Sequence, residues 1–335
     1  MSIIRFPKFG RRPSPLRERA SSFENEAREM ESIAIGAGHL RLSVMIYRQA
    51  VSELKPLLIV NSVDFPMPPS HQFCDQMWTA GYQVIFVRRP GFGCSPGLPD
   101  ILLEEEKVRS GAAVVTEAAI LDQLIRVLEL ENIVLLGMGS ANPVCYRLSL
   151  ICPNISFSVF SNALFNQDIL DVFEPVWFRG MLRQTMGTKA GLHFATHGVK
   201  YLLKNDAESF YKQVLQKSRG DLDYLEHNKA DFLKASELIC AIEPNTFAYD
   251  LKMSLEPDPH LKDDFFKNIR AVALSGMETT PLWKSQLEAE AKRLALPVEY
   301  LPSGDLYAPY ASADHFLDLL ARYDRNPTIP IAALN

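Results

Sequence analysis

A mostly parallel α/β sheet, flanked by helices and interrupted by a helical insertion, is the fold class this sequence predicts. Three observations carry the expectation. Short continuous apolar runs such as Pro56-Leu-Leu-Ile-Val60 and Ile133-Val-Leu-Leu136 recur, as strands buried on both faces require. Helical stretches alternate with these runs, which implies parallel strands joined by right-handed crossovers. Between about 165 and 265 the alternation stops and several helices separated by Gly and Pro are expected, after which strand and helix resume.

Each element follows from local pattern. Ile33–Ile35 and Leu40–Tyr47 are β-rich and separated by Gly36 and Gly38, which predicts a hairpin. The buried run at 56–60 leads to a helix over about 70–80, and Gly81–Val87 is the next strand. A long helix is expected over 104–129, with Val114, Ile120, Leu124 and Leu128 apolar. The strand at 133–136 runs into Gly137, a helix follows to about 150, and Ile155–Phe160 is the next strand. Beyond the insertion come strand Ile269–Leu274, helix 281–294, strand Val298–Leu301 and helix 311–323. The resulting division is a basic arm over 1–25, a core over 26–164 and 266–335, and a helical insertion over 165–265.

Composition narrows the function. Of 335 residues, 47% are hydrophobic and 22% charged, enough apolar material for a large core and too much for a disordered chain. The net charge of −5, from 35 Lys+Arg against 40 Asp+Glu, offers no field that would draw in nucleic acid. No apolar run reaches the roughly 18–20 residues of a transmembrane helix. Cys74, Cys94, Cys145, Cys152 and Cys240 form no CxxC pair and read as reduced core or near-core thiols, so a cytoplasmic location is expected. Gly91-Phe92-Gly93 is too short for a dinucleotide fingerprint, and no cofactor is expected. The arm concentrates Arg5, Lys8, Arg11, Arg12, Arg17 and Arg19 among Pro7, Pro13 and Pro15. It reads as a solvated tail or as an element that docks a partner or an anionic surface.

Three stretches together carry a family resemblance. Gly81-Tyr-Gln-Val-Ile-Phe-Val-Arg-Arg-Pro-Gly-Phe-Gly-Cys-Ser95 resembles the strand and PGxGxS segment of α/β-hydrolase-fold proteins. Ile133-Val-Leu-Leu-Gly-Met-Gly-Ser-Ala-Asn-Pro143 resembles their nucleophile-elbow strand, turn and helix. Val298-Glu-Tyr-Leu-Pro-Ser-Gly-Asp305 resembles the last strand, after which the family carries its histidine. The resemblance covers roughly residues 30–325 and implies that the helical insertion is a lid roofing an apolar pocket.

The catalytic pattern departs from the family's. The elbow pentapeptide G-x-S-x-G is here Gly137-Met138-Gly139-Ser140-Ala141, so glycine holds the nucleophile's place. Asp305 stands at the histidine position, and a carboxylate with an ordinary pKa near 3.9 is a poor base for an alcohol. In the acid's segment, Glu278 comes one position early and Thr279 is in register. The His-Gly of the oxyanion loop is replaced by Asn61-Ser-Val-Asp-Phe-Pro66, where Asp64 would oppose a developing oxyanion.

These departures point to a pseudoenzyme with a degenerate triad, which binds an apolar small molecule or a protein partner. Phe65, Met138, Ser140, Asp64 and Arg88 are the expected ligand contacts. Two other readings use the same fold. An acid–base enzyme of the lyase, isomerase or cyclase type would use Asp305, Glu278 and Asp64, and an esterase would use Ser140 as nucleophile. Otherwise Ser140 reads as an N-cap hydroxyl, and Cys94 as a buried structural thiol. Arg88 or Arg89 should either pair with Asp64, Glu278 or Asp305 or clamp an anionic ligand. His71 and His315 read as surface or helix residues. His193 and His197, four apart, could share a metal, but no third ligand is evident and no metal site is expected.

Overall fold

The computed structural model describes residues 31–36, 40–48, 54–104, 106–107, 110–163, 165, 180, 184, 188–255 and 260–324. Eight strands form one sheet: β1 (Glu31–Ile35), β2 (Leu40–Ile46), β3 (Lys55–Val60), β4 (Tyr82–Arg88), β5 (Ile133–Met138), β6 (Ile155–Ser161), β7 (Ala271–Gly276) and β8 (Val298–Leu301). Their spatial order is β1-β2-β4-β3-β5-β6-β7-β8. The β1–β2 hairpin and the β2–β4 pair are antiparallel, and every later pair is parallel.

Strand period explains the two cores. Leu57, Ile59, Val84, Phe86, Val134 and Leu136 point to one face, where α1 (His71–Thr79) and α10 (Ala313–Tyr323) cover them. Leu58, Val60, Ile85, Val87, Ile133 and Leu135 point to the other. There they meet α2 (Ala112–Val127), α3 (Asn142–Ile151) and α8 (Pro281–Arg293). A sheet covered on both faces accounts for the uninterrupted apolar runs.

Between β6 and β7 lie α4 (Lys189–Leu215), α5 (Arg219–His227), α6 (Lys229–Ala241) and α7 (Pro244–Leu255). The basic arm at 1–25 lies outside the described residues. So do Phe173, Trp177, Phe178, Met181 and Met186, which the sequence offers as apolar material of the insertion. No helix among the described residues is long and apolar enough to cross a membrane.

Several expectations need correction. The helix expected over 104–129 is interrupted: residues 106–107 are helical, a turn at 110–111 with Gly111 at φ of +73° breaks it, and the long helix runs from Ala112 to Val127. The strand expected at 269–274 is Ala271–Gly276, and the helix at 281–294 ends at Arg293. The helix expected over 311–323 is split into α9 (Ala308–Ala311) and α10. The break is at Ser312, whose hydroxyl donates to Ser303 O at 2.9 Å and accepts from Ser303 N at 3.1 Å. Cys94 is exposed rather than buried. The bonds from Gly91 N to Ser95 O and from Ser95 N to Phe92 O close a turn that throws residue 94 outward.

Candidate functional site

Register brings the C-terminal ends of three strands together: Val60 of β3 lies opposite Val87 of β4 and Gly137 of β5. The loops leaving them converge, and ligands of parallel α/β sheets bind at such edges. After Met138 the chain turns sharply through a 3-10 segment at Gly139–Ala141 into α3. Gly139 has φ of +53°, a conformation that glycine adopts without a Cβ penalty. A Cβ built there would fall 2.5 Å from Asp64 Oδ2 and 3.2 Å from Phe65 Cε2. The space in front of the turn is therefore taken by the Asp64 carboxylate. The next amide, Ser140 N, donates to the same Oδ2 at 3.2 Å. Burial raises the Asp64 pKa to about 6, opposed by the Ser140 N–H; the Asp250 charge pushes it up and Arg89 pulls it down.

Behind the turn lies a buried charge network. Ser140 Oγ donates to Asp250 Oδ2 at 2.7 Å, and Val63 N donates to that oxygen at 3.2 Å. Ser140 is thus fully buried and tied to α7, not to the start of its own helix as an N-cap. Arg89 Nη2 donates to Asp250 Oδ1 at 2.6 Å, Nη1 to Glu117 Oε2 at 3.0 Å and Nε to Asn61 O at 2.8 Å. Asn61 Oδ1 accepts from Arg89 N at 2.6 Å. Arg89, Glu117 and Asp250 are all essentially inaccessible. The partners of Arg89 are therefore Asp250 and Glu117, not Asp64, Glu278 or Asp305. One guanidinium faces two carboxylates, and burial raises the Glu117 pKa to about 7 against the pull of Arg89. Arg88 sits at the end of β4, where its carbonyl accepts from Ser95 Oγ at 2.8 Å.

The loops after β7 and β8 serve another purpose. Glu278 Oε2 accepts from Ser218 Oγ at 2.7 Å and from Gly220 N at 2.8 Å, so it caps the first turn of α5. In return Asp221 of α5 accepts from Asp305 N at 3.1 Å, Leu306 N at 2.7 Å and Tyr307 N at 3.0 Å. A Cβ on Gly220 would lie 2.1 Å from Ser303 Oγ and 2.4 Å from Gly304 N, so only glycine allows this approach. Burial raises Asp221 to about 6, opposed by the three amides. Asp305 is raised by burial, lowered by Thr279 and raised by Glu278. Glu278 and Asp305 thus form one electrostatic group, while Asp64 belongs to that of Asp250 and Arg89.

No protein-family model matches the sequence, and no curated relative matches it. Solved structures do resemble the fold. An esterase from Exiguobacterium antarcticum is 15% identical with a TM-score of 0.57, covering 88% of this chain and 98% of that one. The Cif epoxide hydrolase from Acinetobacter nosocomialis is 12% identical with a TM-score of 0.60, covering 89% of each chain. The enol-lactonase from Burkholderia xenovorans LB400 is 12% identical with a TM-score of 0.56, covering 88% of this chain and 99% of that one. The chain has the α/β-hydrolase fold.

Aromatic rings pack beside the Gly139 turn, where Phe65 Cε2 lies 3.2 Å from a Cβ built on Gly139. Phe65 packs edge-on against Tyr307 at 4.8 Å, Phe232 of α6 meets Tyr307 at 5.0 Å, and Tyr224 of α5 stacks on Tyr307 at 5.6 Å. Tyr307 OH donates to the Asp64 carbonyl at 3.2 Å. The remaining cavity is about 30 Å³, and Phe65, Tyr224, Phe232, Tyr307 and Tyr310 form its walls. A larger groove of about 600 Å³ opens between α1 and the α5–α6 junction.

Of the expected ligand contacts, Phe65 lines the small cavity and Asp64 faces the elbow, while Met138 and Ser140 are enclosed in the core. Thr279 is buried. His71 lines the groove, its Nδ1 3.1 Å from Asp75 Oδ2 and its Nε2 3.3 Å from Tyr47 OH. His193 and His197 lie one turn apart on α4. Sequence reasoning missed Asp250, Glu117, Asp221 and Tyr310. Only Asp221 had a local signal, the Ser218-x-x-Asp221 spacing of an N-cap motif.

Proposed function

We propose that this chain is a pseudoenzyme on the α/β-hydrolase fold, working by binding rather than by Ser-His-Asp hydrolysis. Its core is 26–164 with 266–335, the segment 165–265 is a helical lid, and the arm at 1–25 docks a partner. One observation carries the reading: the Asp64 carboxylate occupies the space in front of Gly139 and takes the Ser140 N–H. That amide is the donor the fold aims at a developing oxyanion, and a resident carboxylate there repels the charge that an acyl-transfer intermediate must build. The Ser140 hydroxyl is engaged by Asp250 and faces the core. Incubation with a fluorophosphonate probe, followed by intact-mass measurement, tests this. No adduct is expected; a stoichiometric adduct abolished by Ser140→Ala would make the chain an esterase-type hydrolase.

A second reading, acid–base catalysis, is favoured by the Asp64 carboxyl, which titrates near pH 6 beside the elbow. It has to rest on Asp64 alone, since Glu278 is spent on the start of α5 and Asp305 lies in a different electrostatic group. Turnover lost on Asp64→Asn with the fold intact would establish it.

A further inference from the structure

The groove and the small cavity share two wall residues, Asn228 and Asp231. A polar outer chamber thus adjoins a smaller chamber walled by rings. We propose that this pair of chambers is a binding site for a methylated ammonium group, which enters the ring-walled chamber while the rest of the ligand lies in the groove. The proposal deepens the binding function proposed above and rests on it.

Three features support it. The inner walls are Phe65, Tyr224, Phe232, Tyr307 and Tyr310, inclined to one another. Tyr224 and Phe232 cross at 71° with centroids 6.0 Å apart, and Phe65 and Tyr310 cross at 85° and 6.4 Å. Ring faces set around one small space attract a cation through their quadrupoles, most of all one with methyl groups that carry little hydration. Second, the charged side chains lining the chambers are carboxylates, with no lysine or arginine among them. Asp75 is already engaged by Arg48, His71 and Tyr47. Asp231, at the junction, has no hydrogen bond to its carboxylate among the described residues. Burial raises its pKa against the influence of Lys234, as expected of a carboxylate short of a counter-charge.

Third, size fits the division of labour. The inner 30 Å³ accepts a group no larger than a methylated head's leading methyls, and the outer 600 Å³ lies in the range of ligand sites, about 300–1,000 Å³.

The test is titration calorimetry of the full chain with choline, with its uncharged isostere dimethylbutanol, and with ethanolamine. Choline is expected to bind at least about tenfold more tightly than either, a difference of about 1.4 kcal/mol. Asp231→Asn, at a partly exposed position that the fold tolerates, should weaken choline about tenfold with an unchanged thermal midpoint. Phe232→Leu should weaken it similarly. Equal binding of choline and dimethylbutanol, no binding of choline, or full affinity in Asp231→Asn would each overturn the proposal. A peptide carrying trimethyllysine separates the sources of this chemistry. Tighter binding than choline assigns the head to a protein partner, and weaker binding assigns it to a free small molecule. Fluorophosphonate labelling of Ser140 is independent of these outcomes. An adduct together with choline binding would remove only the proposed pseudoenzyme function, and silence in both assays would remove only the ammonium site.

Discussion

The elbow and the groove beside it differ in how their polar groups are partnered. At the elbow, the Ser140 N–H and hydroxyl, the Val63 N–H and the Arg89 guanidinium all have internal partners, although Asn61 Nδ2 is buried there without one among the described residues. At the junction of groove and cavity, the Asp231 carboxylate accepts no hydrogen bond among the described residues, and burial raises its pKa. Donors given to the protein's own carboxylates stabilise the fold, whereas an unpaired carboxyl at a cavity wall leaves free energy for a ligand to recover.

Breaking the elbow network should have the largest effect. Asp250→Ala leaves the Arg89 guanidinium short of its closest partner and strands the Ser140 hydroxyl, so a loss of about 3–5 kcal/mol is expected in urea unfolding. A cost below about 1 kcal/mol would mean that water reaches the network. Gly139→Ser should cost about 1–3 kcal/mol, because the new Cβ meets Asp64 and the backbone keeps its positive φ. The same variant should still give no fluorophosphonate adduct, since Asp305, not a histidine, stands at the position of the general base.

Buried carboxyls at the elbow and at the start of α5 give stability an uncommon pH dependence. Glu117 is raised from 4.5 to about 7, and Asp64 and Asp221 from 3.8 to about 6, all chiefly by burial. Raised carboxyls bind protons more tightly in the folded than in the unfolded chain. Their contribution is therefore complete below the ordinary pKa values and is lost as pH rises through 6 to 7. Unfolding free energy should increase, on the order of 5 kcal/mol, as pH falls from about 8 to about 5. Glu208, pulled down to about 2 by Lys212 and Lys229, contributes fully above its ordinary pKa and loses that contribution only at lower pH, outside this window. A fall in stability over that window would show that the carboxyls stay ionised in the fold. The smallest effects separate the two tyrosines. Tyr307→Phe loses its bond to the Asp64 carbonyl and should cost about 1 kcal/mol, whereas Tyr310→Phe removes an orphaned hydroxyl and should gain about 0.5 kcal/mol.

Much of the fold was legible in the sequence because its signals are local. The apolar runs at 56–60 and 133–136 are short, continuous and bounded by turn residues, and both became central strands. The glycine at 139 could be read directly as a turn without a nucleophile. Asp64 could be read as a charge in the oxyanion loop, though not as the partner of the Ser140 amide. What stayed hidden is the pairing of residues far apart. Arg89 and Asp250 are separated by 161 positions, and Glu278 reaches Ser218 across 60. A buried arginine demands a carboxylate, but no periodicity says which one, and the choice fell on a residue of α7 that carries no motif. The aromatic packing beside the elbow was equally unreadable, because Tyr224, Phe232 and Tyr307 come from three separate segments.

The most direct test of the central claim is hydrolysis of short p-nitrophenyl esters by the purified chain beside Asp64→Ala and Ser140→Ala. Rates at the buffer background are expected in all three proteins. A rate above background in the wild type that disappears in either variant would contradict it, and the variant that loses the rate would identify the group doing the chemistry.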